Sequence, residues 1–136
     1  MSGPARRSLA TVAVVVRDYE EAIAWYTEKL GFALEEDSDL GEGKRWVTAA
    51  PASGTGARLL LARASGAEQS SRIGNQTGGR VFLFLETDDF QRDHQAMIAR
   101  GVTFLEEPRA EAYGTVAVFS DLYGNLWDLL EPARRV

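Results

Sequence analysis

Apolar residues recur along the chain with two periods, one typical of strands and one typical of helices. Residues 11–16 form a nearly continuous β-branched run, which predicts a strand covered by a helix on one face. Asp18 follows as a helix N-cap, Glu21 completes a capping-box pattern, and apolar side chains then recur at helical spacing until Gly31. Three more strands are predicted at residues 32–36, 45–49 and 58–62. The first half of the chain therefore has the order βαβββ.

The second half repeats this order after a polar stretch, rich in Gly and Ser, at residues 65–79. Its predicted elements are a strand at 81–86, a helix capped by Asp88 or Asp89 and ended by Gly101, and strands at 103–106, 115–120 and 127–130. Asp18 and Asp89 match at the same offset as Leu34 and Leu105. This common offset indicates an internal duplication.

The duplication predicts an α+β fold of two tandem βαβββ modules whose curved mixed sheets surround a shared cavity, because one module alone leaves a sheet face bare. We expect a single domain over residues 1–136, with the first module at about 8–64, a linker at 65–79 and the second module at about 80–133. The sheets curl either toward each other or toward those of a partner chain.

Composition narrows the classes of function. The chain has no cysteine, which excludes a disulfide, a thiolate zinc site and a cysteine nucleophile. Its net charge of −5 and its scattered basic residues disfavour a nucleic-acid partner. The apolar run at residues 9–16 is too short to span a bilayer, and charged residues follow it where a signal cleavage site would lie. We therefore expect a cytoplasmic protein without a membrane partner.

Residues 12–32 and 119–128 contain the most specific motifs. The first segment is a strand, Arg17-Asp18, a capped helix and a closing KLGF; the second reads FSDLYGNLWD. Together they resemble the glyoxalase/bleomycin-resistance/dioxygenase family, also called the vicinal oxygen chelate superfamily, with Leu122 where the family usually has proline. The resemblance covers about residues 8–132. It implies a homodimer on a scaffold that serves both metal-dependent enzymes and drug-binding proteins without catalytic activity.

The resemblance also implies where a metal would bind. Family enzymes take their ligands from the first and last strands of each module, and the matching positions here are Thr11, Leu60, Phe82 and Asp128. Only Asp128 has a side chain that binds a divalent ion well, so we expect neither a metal nor a cofactor. His94, the one histidine, matches a helix position that faces its sheet and is predicted to pack there.

Alternation along the strands predicts the side chains that face a ligand. The predicted ligand-binding residues are Thr11, Trp46, Phe82, Phe84, Glu86 and Asp128. Trp46 offers a flat surface to an aromatic or cationic ligand, with core packing as the open alternative. Asp128 and Glu86 are also candidate general bases if an apolar wall raises their pKa values, although Glu86 could simply be solvated at the rim.

Two functions remain open. The first is a glyoxalase/bleomycin-resistance-like protein that holds a small organic molecule, such as a drug-like or cationic aromatic compound, in a cup without the usual metal ligands. The alternative is an enzyme of the same superfamily, of lyase, isomerase or dioxygenase type. It would be either metal-free with carboxylate acid–base groups or metal-dependent through unrecognised ligands. The sequence contains no nucleophile and base at recognisable spacing, which favours binding.

Overall fold

The order of strands and helices repeats once along the chain. The computed structural model describes residues 3–52 and 54–134, so positions 1, 2, 53, 135 and 136 of the expected domain lie outside it. The elements are β1 Thr11–Val16, α1 Tyr19–Ala24, a π-helical turn Trp25–Lys29, β2 Phe32–Gly41, β3 Lys44–Pro51, β4 Arg58–Arg63, α2 Gly66–Ser70, β5 Val81–Glu86, α3 Phe90–Ala99, β6 Thr103–Phe104, β7 Arg109–Glu111, β8 Gly114–Ser120 and β9 Leu126–Pro132.

The strands form two mixed sheets. The first sheet has the order β1-β4-β3-β2, and the second has the order β5-β9-β8-β6 with β7 beside β8. In each sheet the first and last strands of the module pair in parallel, and the other pairs are antiparallel. The predicted fold class of two βαβββ modules is confirmed. In the described residues, no helix is long and apolar enough to cross a membrane.

The first helix begins as predicted, but its capping box stays open. The Asp18 carboxylate accepts the backbone N–H of Glu21 at 2.9 Å. The Glu21 side chain does not return to the Asp18 N–H; it pairs with Arg17 at 2.8 Å and accepts the Tyr123 hydroxyl at 2.7 Å. The Asp18 N–H donates instead to the Tyr123 oxygen at 3.4 Å. The helix start is thereby fixed to the second module.

The helix does not continue regularly to Gly31, because it widens into the π-helical turn. Leu30 N–H donates to the carbonyl of Trp25, and the Thr27 hydroxyl bonds back to the carbonyl of Ile23 at 2.7 Å. Such back-bonding by a threonine competes with the regular helical pattern and bends helices. Tyr26 is fully buried in this turn.

The turn at residues 121–125, called the signature turn below, connects the second module to the first. One Asp121 oxygen accepts the backbone N–H groups of Tyr123, Gly124 and Asn125 at 2.9, 3.0 and 2.9 Å. The other accepts the Tyr26 hydroxyl at 2.8 Å, and burial beside Asp121 raises the pKa of Tyr26 well above its ordinary value. Because Asp121 holds the turn through these bonds, the turn forms without the usual proline.

The predicted strand at residues 103–106 is shorter than expected, and a second short strand follows it. The Glu106 carboxylate accepts the N–H of Val118 at 3.0 Å, in the place of a ladder carbonyl. Pro108 then lacks an N–H and restricts the residue before it. Pairing resumes only at Arg109 opposite Val116. The strand opposite β8 is therefore split into β6 and β7.

The helix-facing sides of both sheets share one core. The Tyr26 ring lies 5.9 Å from Phe32 and 6.1 Å from Trp127, and Phe119 stacks on Trp127 at 5.7 Å. Val14 in β1 is fully buried in this core, whereas its neighbours in sequence alternate toward the other side of the sheet. Each sheet therefore has an inner face in the shared core and an outer face turned away from it.

Candidate functional site

The outer face of the second sheet is the candidate site. Asp128, on the central strand β9, lies between Phe84 on β5 and Val118 on β8. Asp128 is only 7% exposed, whereas Phe84 is 62% exposed. The Asp128 carboxylate is therefore buried between apolar neighbours, beside an aromatic ring that is exposed to solvent.

Asp128 has an unused hydrogen-bonding atom. Its Oδ1 is buried and has no hydrogen-bond partner among the described residues. Burial raises the pKa of the Asp128 carboxyl, Arg109 lowers it and Glu106 raises it further. Leaving a buried carboxylate unpaired costs free energy, so Asp128 is suited to accept a hydrogen bond or a positive charge from a ligand.

Arg109 offsets the charge of Asp128 only in part, because its guanidinium forms ion pairs with other carboxylates. Its Nε atom lies 3.1 Å from both oxygens of Glu106, and its Nη1 atom lies 3.2 Å from Glu111. Glu106 beside it raises the pKa of Arg109, which therefore stays charged. Three acidic groups face one basic group, so this part of the outer face has a negative field.

Of the predicted site residues on the second sheet, three lie together. Glu86 is exposed and follows Phe84 on the same face of β5, opposite Leu130 in β9. Phe82 is separated from them by a register shift between Val81 and Leu83, and it packs against the core. A bulge of this kind breaks the two-residue alternation on which its placement depended.

The two remaining predicted residues lie on the first sheet. Thr11 is exposed at the start of β1, opposite Arg58, and Trp46 on β3 is 38% exposed. Their outer face points away from the shared core, and so does the face that contains Asp128. One chain therefore does not bring Thr11 and Trp46 to Asp128. The cavity that the two modules share within one chain is a cleft of about 980 Å³ on the inner side, and Phe84 and Glu86 reach its border.

The family's metal positions do not fit a divalent ion. Leu60 and Phe82 have no donor atom, and a neutral Thr11 hydroxyl is a weak ligand, so Asp128 stands alone. Within residues 3–52 and 54–134, no three His, Cys, Asp or Glu side chains lie close enough to hold an ion. His94 lies between the rings of Phe90 and Phe104, at 5.1 and 4.4 Å, as its predicted packing role requires.

Glu106 and Arg109 lie near Asp128 but are not among the site residues predicted from the sequence. Arg109 lies in β7, which has only three residues and shows no alternation to detect, and Glu106 lies in the irregular segment before it. The proximity of both to Asp128 depends on pairing with β8. In the part of the chain that the structure describes, no hydroxyl or amine donates to the Oδ1 atom of Asp128. The groups that this face presents are one buried acceptor, one exposed ring and an excess of carboxylates.

Comparison with known proteins identifies the family of this fold and site. The model of the Glyoxalase/Bleomycin resistance protein/Dioxygenase superfamily matches residues 8–129. The chain is 56% identical over 127 residues to an uncharacterised protein of Shewanella frigidimarina (strain NCIMB 400), covering 93% of this chain and 94% of that protein. It belongs to the glyoxalase/bleomycin resistance/dioxygenase superfamily.

Solved structures extend the comparison. UcmS2 superposes with a TM-score of 0.81 at 30% identity, covering 93% of this chain and 99% of the other. TnmS3, an antibiotic binding protein from Streptomyces sp. CB03234, superposes with a TM-score of 0.76 at 30% identity, covering 96% and 100%. The neighbours of this chain therefore include a protein that binds an antibiotic.

Proposed function

We propose that this protein binds and sequesters a small aromatic molecule on the outer face of the second sheet, without a metal. The observation that carries the proposal is the buried, unpartnered Oδ1 of Asp128 beside the exposed ring of Phe84. An antibiotic-binding neighbour of the same fold at 30% identity supports a binding role. Among the described residues, no nucleophile is hydrogen-bonded to Asp128 Oδ1, which favours binding over catalysis.

The charges on this face favour a cationic ligand. Asp128, Glu106 and Glu111 outnumber Arg109, and the exposed Glu86 adds to the excess. A planar cation gains about 1–2 kcal/mol over an aromatic ring and about 1.5–3 kcal/mol from a hydrogen bond to a carboxylate. An anion would oppose the same carboxylates. Together these two contributions, about 2.5–5 kcal/mol, correspond to roughly millimolar affinity, so micromolar affinity also requires burial of the ligand's apolar surface.

We also propose that a second copy of the chain completes the cup. The outer faces leave large apolar side chains in solvent, including Trp46, Phe84 and Leu105. In a two-fold dimer, the outer face with Thr11 and Trp46 would cover the outer face with Asp128 of the other copy. This arrangement would give the ligand a second aromatic wall and would remove exposed apolar surface from water.

A matched set of ligands tests the charge preference. Tryptophan fluorescence would be titrated at pH 8 with 10-methylacridinium, acridine and acridine-9-carboxylate, which share a ring system and differ in charge. The cation should bind about tenfold more tightly than the neutral ring, and its affinity should fall as salt rises. The carboxylate should bind weakest. Tighter binding of the carboxylate, or equal binding of all three, would refute the proposed ligand class.

A further inference from the structure

The cleft between the two modules meets the edge of the outer face at Phe84 and Glu86. It occupies about 980 Å³, near the upper end of ligand pockets in proteins, and Asp128 does not line it. Its apolar floor comes from both modules and includes Leu30, Phe32, Leu59, Leu83, Leu85 and Met97. Four of these side chains are already buried, so the apolar surface that a ligand would remove from water belongs mainly to the partly exposed Leu83 and Leu85.

The loop between β3 and β4 borders the cleft without filling it. Its lining residues Ala52, Gly54, Thr55, Gly56 and Ala57 all have small side chains. A Cβ atom added at Gly56 would meet no atom within 4 Å, and Gly56 lies outside the left-handed region. The space beside this loop is therefore open to a larger group.

One guanidinium on the rim forms no contact ion pair within the part of the chain that the structure describes. Two of the three rim arginines are paired, Arg58 with Glu35 at 2.9 Å and Arg92 with Asp88 at 2.8 Å. Arg100, just after α3, forms no ion pair among the described residues; its charge acts on Asp93, which is already paired with Arg92 at 3.0 Å. Its Nη1 atom lies beside the other module, 3.4 Å from the place a Cβ of Gly31 would take.

We propose that this cleft is a second ligand site, for a small aromatic molecule with an anionic group. The rings lie on the apolar floor, and the carboxylate or sulfonate binds the guanidinium of Arg100. A guanidinium matches the geometry of such anions, and its hydrogen bonds to them are strong beside an apolar surface. The charge preference is opposite to that proposed for the outer face, so the two sites are distinguishable.

Two fluorescent probes that differ by one sulfonate test this site. The probes are 8-anilinonaphthalene-1-sulfonate and its neutral analogue N-phenyl-1-naphthylamine. Arg100→Gln should weaken the sulfonate about tenfold and change the neutral probe by less than about twofold. Gly56→Trp should weaken both probes about tenfold because the indole fills the cleft, whereas Gly56→Ala should leave both unchanged.

Further variants distinguish binding in the cleft from binding at the outer face. Asp128→Asn should not weaken the sulfonate, because that residue lies on the outer face. If Gly56→Trp does not fold, as judged by circular dichroism, Ala57→Phe takes its place as the filling variant. An unchanged sulfonate affinity in Arg100→Gln, unchanged binding in a folded filling variant, or a loss confined to Asp128→Asn would each overturn the proposal.

Discussion

Asp128 is a buried carboxylate with an incomplete set of hydrogen bonds. It lies between Phe84 and Val118, and its Oδ1 atom has no partner among the described residues. Burial raises the pKa of its carboxyl, which means that the ionised form weakens the ligand-free fold. Residues of this kind trade stability for function, because a ligand that supplies the missing donor recovers the lost free energy.

Asp128→Asn is therefore expected to stabilise the ligand-free protein at pH 7, by up to about 1 kcal/mol, because it removes a buried charge while the side chain keeps nearly the same shape. The folded-state pKa is raised, so the stability from the neutral carboxyl is complete below the unfolded pKa of about 3.9 and is lost as pH rises through the folded value. Urea unfolding at several pH values measures the difference. The difference in unfolding free energy between Asp128→Asn and the wild type should vanish at acidic pH, where Asp128 is neutral. A variant less stable than the wild type at pH 7, or a difference that does not change with pH, would contradict the raised pKa.

At the scale of elements, helix caps could be predicted from the sequence, whereas features that depend on strand pairing could not. Asp18 caps the first helix as predicted, and of the two candidates Asp88 and Asp89 it is Asp89 that caps α3; each accepts the N–H three residues on. Caps were predictable because capping involves only neighbouring residues. The strand β2 extends beyond its predicted end to Gly41, because pairing with β3 continues to the hairpin. The bulge at Phe82 and the split near Glu106 have no local signal, since both depend on the partner strand.

The same division applies to the candidate site. Period-two alternation places Phe84, Glu86 and Asp128 on one face without any structure. It does not reveal Arg109, whose position depends on a three-residue strand. It also does not reveal that the first sheet's outer face, with Trp46, points away from Asp128, because the sequence does not specify which faces the two modules bury against each other.

The stretch at residues 65–79, between the modules, packs against the signature turn. Gly74 has a φ of +76°, and a Cβ there would lie 1.9 Å from the Tyr123 carbonyl oxygen. Gly78 has a similar φ of +67°, but a Cβ there would meet nothing within 4 Å. Gly74→Ala should therefore lower the unfolding free energy by about 2–4 kcal/mol, from backbone strain plus overlap, and Gly78→Ala by only about 1 kcal/mol.

Chemical denaturation of the two glycine variants measures this difference, and the shared positive φ makes Gly78→Ala the matched control for strain. Equal losses would mean that the stretch is not packed against the turn. A larger loss in Gly78→Ala would contradict the position of both glycines.

At the scale of the whole molecule, the two sheets use their inner faces for a shared core and leave their outer faces to solvent. Tyr26 of the first module packs against Trp127 of the second and donates to Asp121, so the modules are joined by both rings and hydrogen bonds. The outer faces retain exposed apolar residues such as Phe84 and Leu105. Such a surface is suited to a symmetric partner, a ligand or both.

A two-fold homodimer is expected in solution. Multi-angle light scattering at micromolar concentration should give about twice the 14.9 kDa mass of one chain. Leu105→Glu places a charge on the exposed outer face and should shift the protein toward the single-chain mass, whereas Ile98→Glu on the helix α3 should not. A wild-type mass of one chain would contradict the cup completed by a second copy.

The affinity for 10-methylacridinium, measured by isothermal titration calorimetry on chelator-treated protein, tests most directly whether Asp128 binds a cationic ligand without a metal. The wild-type protein should bind with micromolar affinity after metal removal. Asp128→Asn should weaken binding about tenfold, whereas Asp89→Asn should change it by less than about twofold, because it removes the same charge and asparagine caps a helix equally well. Loss of binding on metal removal, or equal losses in the two variants, would contradict binding at Asp128.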